Sequence, residues 1–288
     1  MRAVRRLVTV EEVRSALRAA RAGGRRVGFV PTMGALHAGH LALVRASLAE
    51  CDVTVVSIFV NPAQFGPSED FTTYPRDEER DLALLEEVGT DLVYIPPVDV
   101  VYPPGFDTYV TVGALTEPLE GAARPGHFRG VATVVAKLFN VIQPDRAYFG
   151  QKDAQQALVI TKMALDLDFP VEVVVMPTIR EPDGLALSSR NVYLSPPERQ
   201  AALSLSRALR TAEQLYAEGE RDAARLREAM SSILAEQPLA QPEYMSVADN
   251  RTLLELDTIT GPALASLAVR IGRTRLIDNV VLGAARRP

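Results

Sequence analysis

Five short runs of β-branched and apolar residues, at 27–30, 53–60, 92–95, 147–149 and 171–176, most constrain what this chain can fold into. They are too uniformly apolar to alternate, so both faces of each strand need cover, as in a parallel sheet flanked by helices. Residues 41–48, 78–88, 131–142 and 155–165 supply that cover, with apolar side chains recurring every three or four positions. Strand and helix alternate through residue 176, which predicts an α/β fold with a Rossmann-like, doubly wound parallel sheet.

The pattern then changes. Pro177, Pro182, Asp183 and Gly184 mark a turn-rich crossing, and Pro196-Pro197 opens a long helix reaching Tyr216. Residues 220–235 form a second amphipathic pattern, and 244–248, 267–271 and 275–282 alternate as strands do. The expected organisation is a Rossmann-like nucleotide- and substrate-binding domain over residues 1–178 and a smaller α+β cap domain over 179–288.

Composition narrows the function. With 288 residues, 47% of them hydrophobic, the chain can bury one large core or two modest ones. A net charge of −5 with no basic stripe argues against a nucleic-acid partner. The longest nearly apolar stretch, 53–60, falls far short of the ~20 residues a membrane helix needs, and the basic N-terminus has no apolar segment behind it. A single cysteine, Cys51, permits no internal disulfide. A cytoplasmic protein that neither spans nor enters a membrane is expected.

Three polar clusters sit where such a sheet binds ligands. After the first apolar run come Pro31-Thr32-Met33-Gly34-Ala35-Leu36-His37-Ala38-Gly39-His40, with a helix expected directly beyond. A helix start offers unpaired backbone N–H groups and partial positive charge, and Gly34 and Gly39 allow close approach to the backbone. His37 and His40, three apart, share one face of a first helical turn and can donate to an α-phosphoryl group as charge builds on it. Gly150-Gln151-Lys152-Asp153 follows another strand, with Lys152 suited to polyphosphate and Asp153 to a ribose hydroxyl. Leu187-Ser188-Ser189-Arg190, on the crossing, presents hydroxyls and a guanidinium to phosphate.

These residues resemble the nucleotidyltransferase superfamily that shares its fold with class I aminoacyl-tRNA synthetases. His37-Ala38-Gly39-His40 is similar to its HIGH motif and Leu187-Ser188-Ser189-Arg190 to a shortened KMSKS motif. Within it the chain resembles the pantothenate synthetase family nearly end to end. The matches run through Val30-Pro31-Thr32-Met33-Gly34, Phe59-Val60-Asn61-Pro62-Ala63-Gln64-Phe65, Arg124-Pro125-Gly126-His127-Phe128-Arg129-Gly130-Val131, and Gly150 through Gln156.

The resemblance implies an ATP-dependent ligase that joins pantoate to β-alanine through a pantoyl-adenylate and releases AMP and pyrophosphate. It implies that the stretch from Met33 to His40 lines the ATP site, with His40 as proton donor and His37 as its phosphate-binding partner. It implies that Gln64 and Gln156 hold pantoate, with Gln64 also touching β-alanine and Asn61 supporting them. Gly150, Lys152 and Asp153 would grip ribose and phosphate, Ile179 would meet adenine through its backbone, and Leu187, Ser188, Ser189 and Arg190 would close over the phosphates. Mg²⁺ is expected with ATP, although no carboxylate cage is legible for it, and a homodimer is implied. Gln151, Ala154 and Leu187 depart from the family's usual glutamate, aromatic residue and methionine.

The chemistry suits those residue types. A carboxylate must be activated before an amine attacks it, and adenylation needs charge stabilisation more than a general base. Amide side chains suit a hydroxyl beside a carboxylate because they donate and accept. The polar run 66–74, with Pro67, Ser68, Glu69 and Asp70, reads either as a mobile loop that folds over the intermediate or as plain surface. Arg124, His127 and Arg129 either attract a substrate carboxylate or form structural ion pairs. The alternatives are a nucleotidyltransferase that passes AMP to a phosphate-containing acceptor, a zinc hydrolase using His37, His40 and His127, and a non-catalytic nucleotide sensor.

Overall fold

The computed structural model describes residues 4–67 and 69–283. Strands β1 (Arg5–Leu7), β2 (Val27–Thr32), β3 (Val53–Ile58), β4 (Leu92–Tyr94), β5 (Arg146–Gly150) and β6 (Glu172–Met176) form one parallel sheet in the order β1-β4-β3-β2-β5-β6. The five expected strands are all present, and β1 is an addition at one edge.

Helices α1 (Val10–Ala22), α2 (Ala38–Glu50), α3 (Glu78–Glu87), α4 (Val98–Val101), α5 (Glu120–Ala123), α6 (His127–Ile142) and α7 (Ala154–Asp166) belong to the same stretch of chain. Side-chain alternation sorts the two faces. Phe29, Val55, Leu92, Tyr94, Ala147 and Phe149 pack in one core with Val13 and Leu17 of α1 and Phe139 and Ile142 of α6. Their strand neighbours Val30, Val56, Val93 and Tyr148 pack in another with Val44 of α2 and Leu85 of α3. Both parities are apolar because both faces are covered, which is why these strands read as unbroken runs.

The remaining elements are α8 (Pro196–Ala217), α9 (Ala223–Ala235) and an antiparallel sheet of β7 (Ala240–Asp249), β8 (Ala263–Ile271) and β9 (Thr274–Leu282). Pro196 lies at the start of α8, where its missing N–H costs nothing, and Ser195 and Glu198 close a capping box. Leu205, Leu209, Leu226 and Met230 of the helices pack with Val247, Leu267, Val269 and Leu276 of the sheet.

The chain divides into two compact units. The first holds residues 1–116, 124–151 and 156–177; the second holds 117–123, 152–155 and 178–288. Among the described residues no helix is long and apolar enough to cross a membrane.

Within the first unit, β2 lies between β3 and β5, all pointing the same way. The chain runs outward from β2 through β3 to β4, then returns to the other side of β2 for β5 and β6. A crevice opens at the carboxyl end of such a reversal. The loops leaving β2 and β3, and the end of β5 at Gly150, all stand at that edge.

Candidate active site

Beyond Thr32 the backbone enters the left-handed region twice, at Gly34 (φ 82°) and Ala35 (φ 50°). The resulting turn points two amides at Asp81 in the first turn of α3, which accepts from Ala35 N at 2.8 Å and from Leu36 N at 2.7 Å. Asp81 is buried, and desolvation raises its carboxyl pKa above the ordinary range while the two amides partly offset the shift. A Cβ on Gly34 would stand 3.0 Å from the Asp81 carboxylate and 3.1 Å from Ile58, so a side chain there would crowd the clamp as well as strain the backbone.

The turn delivers His37 to the N-cap of α2. Its Nδ1 accepts from Gly39 N at 3.2 Å, and His40 Nδ1 accepts from His37 N at 3.4 Å. This is a reciprocal capping box made of two imidazoles. The helix starts at Ala38, inside the expected motif, because the His37 ring already serves its first turn. The rings stack with centroids 4.1 Å apart. With Nδ1 accepting, a neutral imidazole carries its proton on Nε2.

Asn61 and Gln64 follow β3 on the short turn Pro62–Gln64. Asn61 is buried and fully engaged: its amide donates to Gln64 Oε1 at 3.0 Å and to the Gly130 carbonyl at 3.2 Å, and its oxygen accepts from Tyr102 Oη at 2.7 Å and Ala63 N at 3.3 Å. Asn61 therefore orients Gln64. Burial pushes the Tyr102 hydroxyl up to about 12, so Tyr102 stays a donor to Asn61 at any physiological pH. Gln64 Nε2 lies 3.3 Å from Met33 Sδ, which brings the turn after β3 against the loop after β2.

The segment beyond Gln64 is tied down. Phe65 packs edge-on against Phe71 and Tyr74, and Arg124 forks onto Glu69 at 2.9 and 2.6 Å. Ser68 lies outside the described residues. Arg124 thus forms the structural ion pair, with His127 Nε2 3.1 Å from its NH1 and His127 Nδ1 2.9 Å from the Gln64 carbonyl. Arg129 sits over the Tyr109 ring. Among the described residues no group of three or more His, Cys, Asp or Glu side chains could hold a metal ion, so His37, His40 and His127 do not make a zinc site.

In the second unit, Lys152 lies on the turn Gln151–Asp153 with Nζ 3.8 Å from Asp153 Oδ1. Ile179 is exposed, and its carbonyl accepts from Leu187 N at 3.0 Å, closing a narrow hairpin. Ser188 caps the turn Ser189–Tyr193 by accepting from Arg190 N at 3.3 Å. Leu187, Ser188, Ser189 and Arg190 are all half-buried.

The structure therefore groups Met33, Gly34, His37, Gly39, His40, Asn61 and Gln64 in the first unit. Gly150 ends β5, and Gln156 is half-buried on α7, both in that unit. Lys152, Asp153, Ile179 and Leu187 to Arg190 fall in the second. Sequence reading missed Tyr102 and Asp81. Asp81 was discoverable as an acid four residues before the buried Leu85, on the same face of α3.

The arrangement has close counterparts. The model of the family described as pantoate-beta-alanine ligase matches residues 5–281. A pantothenate synthetase of Roseiflexus sp. strain RS-1 is 62% identical over 98% of this chain and 100% of its own length. One from Chloroflexus aurantiacus is 63% identical over 96% and 97%. The crystal structure of a pantothenate synthetase from Thermus thermophilus superposes with a TM-score of 0.92 at 51% identity, covering 96% of this chain and 99% of that one. A pantoate-beta-alanine ligase from Francisella tularensis, complexed with beta-gamma ATP and beta-alanine, gives 0.81 at 32% identity, covering 98% and 99%. Matched end to end in sequence and in fold, the chain belongs to the pantoate–β-alanine ligase family.

Proposed function

We propose that this chain condenses pantoate with β-alanine in an ATP-driven reaction, through a pantoyl-adenylate, releasing AMP and pyrophosphate. The observation that supports the reading is the 3.3 Å approach of Gln64 Nε2 to Met33 Sδ, which brings the amide proposed to hold pantoate beside the loop proposed to hold ATP.

In the first step the pantoate carboxylate attacks the α-phosphorus. His37 and His40 donate from Nε2 to the α-phosphoryl group and the departing pyrophosphate. The rings stack with centroids 4.1 Å apart, so both imidazoles face the same anion. Lys152 offsets phosphate charge, Gly150 and Asp153 hold phosphate and ribose, and Ser188, Ser189 and Arg190 with Leu187 cover the phosphates. Ile179 meets adenine through its backbone. Mg²⁺ bound with ATP would supply further charge neutralisation on the triphosphate, beside that from Lys152.

In the second step the β-alanine amine attacks the acyl carbon and AMP leaves. Gln64 and Gln156 hold pantoate through its hydroxyls and carboxylate, and Asn61 fixes Gln64. Holding the reactants together and excluding water is the main task there. A homodimer in the cytoplasm is the expected working state.

The test is a product assay with ATP, pantoate and β-alanine. AMP and pyrophosphate are expected; ADP would mean an acyl-phosphate route and overturn the adenylate. With hydroxylamine in place of β-alanine, pantoyl hydroxamate should form. Its absence, with AMP passed instead to a phosphate-containing acceptor, would leave the chain a simple nucleotidyltransferase.

A further inference from the structure

Strand β9 carries two adjacent buried polar side chains, Asp278 and Asn279. Neighbours on a strand project to opposite faces. On one face Asp278 receives a fork from Arg180, with NH1 to Oδ2 at 2.6 Å and NH2 to Oδ1 at 2.9 Å. On the other face Asn279 Nδ2 donates to the main-chain carbonyl of Lys152 at 2.9 Å. The Asn279 amide N–H donates to Asp278 Oδ1 at 2.8 Å, so the two are joined to each other.

Each partner belongs to a phosphate-handling segment. Arg180 stands beside Ile179 at the base of the hairpin that returns through Ala186 and Leu187 to Ser188, and it also donates to the Gly184 carbonyl at 3.2 Å. The far side of that hairpin is held by Glu181, which accepts from Arg199 at 2.9 and 2.7 Å and from Asn191 at 3.0 Å. Lys152 lies on a three-residue turn, too short to hold its own orientation. The next turn of chain is fixed by Gln155, which accepts from Glu120 N at 3.0 Å and donates to the Pro118 carbonyl at 2.8 Å. Nothing in those bonds fixes the carbonyl of Lys152 itself; Asn279 does.

We propose that Asp278 and Asn279 are positioning residues for adenylation: one strand sets two phosphate-handling segments in register, Asn279 through the backbone at Lys152 and Asp278 through Arg180 at the hairpin. The proposal rests on the reading that Lys152 acts on ATP. It adds that the lysine's placement is dictated from β9. A bidentate carboxylate–guanidinium pair and a directed amide donor both fix angle as well as distance, which is what a hairpin base and a short turn lack.

The experiment is a double-mutant cycle on the full chain, read as ATP affinity by equilibrium binding and as adenylation by pyrophosphate release. Asn279→Asp keeps the shape of the side chain and removes the donor; Asn279→Ser serves if the added buried charge unfolds the protein. Either variant should weaken the adenylation kcat/KM for ATP roughly tenfold while leaving KM for pantoate at the wild-type value. Combined with Lys152→Ala, it should cost little more than Lys152→Ala alone, because both changes remove one interaction. Asp278→Asn and Arg180→Met should likewise fail to add.

The outcomes separate the claims. If Lys152→Ala leaves ATP affinity and adenylation untouched, the assignment of Lys152 is wrong and the proposal falls with it. If Lys152→Ala is damaging but the Asn279 variants are not, or their losses add in full, Lys152 keeps its role and β9 does not position it. Equal losses toward ATP and pantoate would mean that Asn279 merely supports the fold, and would also overturn the proposal.

Discussion

Gly130 on α6 lies so close to Gln64 that a Cβ built on it would stand 2.7 Å from the Gln64 amide nitrogen and would overlap the Ala63 carbonyl. Backbone, not a flexible side chain, is what it would meet. Gly130→Ala should therefore push the turn Pro62–Gln64 away from α6, lengthen the Asn61 bond to the Gly130 carbonyl and cost about 2 kcal/mol of stability. Pantoate KM should rise more than ATP KM. Denaturant unfolding and steady-state kinetics check both, and wild-type pantoate KM in a destabilised variant would detach Gln64 from the substrate.

Replacing His40 tests the stacked pair. His40→Ala removes one Nε2 donor and one half of the reciprocal cap. Adenylation should fall by about two orders of magnitude, the scale seen for losing one preorganised donor to a developing charge, while helix stability falls by only ~1 kcal/mol. Pyrophosphate release at the wild-type rate would show that the imidazole does not meet the phosphates.

Asp81 holds the loop that precedes the pair. Asp81→Asn presents an NH₂ to one of two backbone amides, at Ala35 or Leu36, and so turns an acceptor into an opposed donor. The expected loss is on the order of 2 kcal/mol in stability, with a raised KM for ATP. Unfolding curves and ATP titration measure the two effects, and an unchanged KM would confine Asp81 to a structural role.

Arg275 forks onto buried Glu120 at 2.7 Å through both NH1 and NH2 and reaches Glu243 through Nε, while Tyr244 donates to Glu120 at 2.9 Å. Arg275→Met would leave the Glu120 carboxylate without its cation, at a cost of about 3 kcal/mol. Thermal unfolding at neutral pH should reveal it. A loss near zero would mean that the pair is solvated in solution.

Acid should loosen the hairpin of the second unit. Hydrogen bonds from Arg199 hold the carboxyls of Glu181 and Asp183 below their usual values. For carboxylates depressed in the folded state, the stabilisation is present above the unfolded pKa, about 4, and is lost as pH falls through the folded value. Stability measured from neutral pH downward should drop less steeply in Arg199→Met than in the wild type. Parallel curves would assign the acid sensitivity elsewhere, for instance to Glu50, whose carboxyl is depressed chiefly by the Tyr148 hydroxyl and then by Arg146.

Much of the fold was legible because the core imposes itself on the sequence locally. Val30 and Val55 are apolar for opposite faces of one sheet, and runs of such residues announce a strand wherever they lie. Strand β1 gave no such signal: it is three residues long, Arg5 and Arg6 are exposed, and its pairing with Leu92–Tyr94 joins distant parts of the chain. Helix α1 carries its signal within itself, since its buried residues Val13, Leu17 and Ala20 recur every three or four positions.

The spacing of His37 and His40 was legible, but their mutual capping and stacking were not, since these depend on a helix that begins between them. Asp81 reaches Ala35 across 46 residues. Asp278 and Asn279 read as ordinary members of an alternating strand. Polar side chains that bind loops leave no period, and their partners emerge only when the chain has closed.

The weaving of the chain between its two units has a practical corollary. Residues 117–123 and 152–155 are grouped with the C-terminal unit, although long stretches of the first unit flank them in sequence. A gene cut near residue 178 would strand Glu120 without Arg275 and the Lys152 carbonyl without Asn279. Neither half should be obtainable as a well-behaved fragment, and recombination between relatives at that junction should succeed only when both halves keep these partners matched.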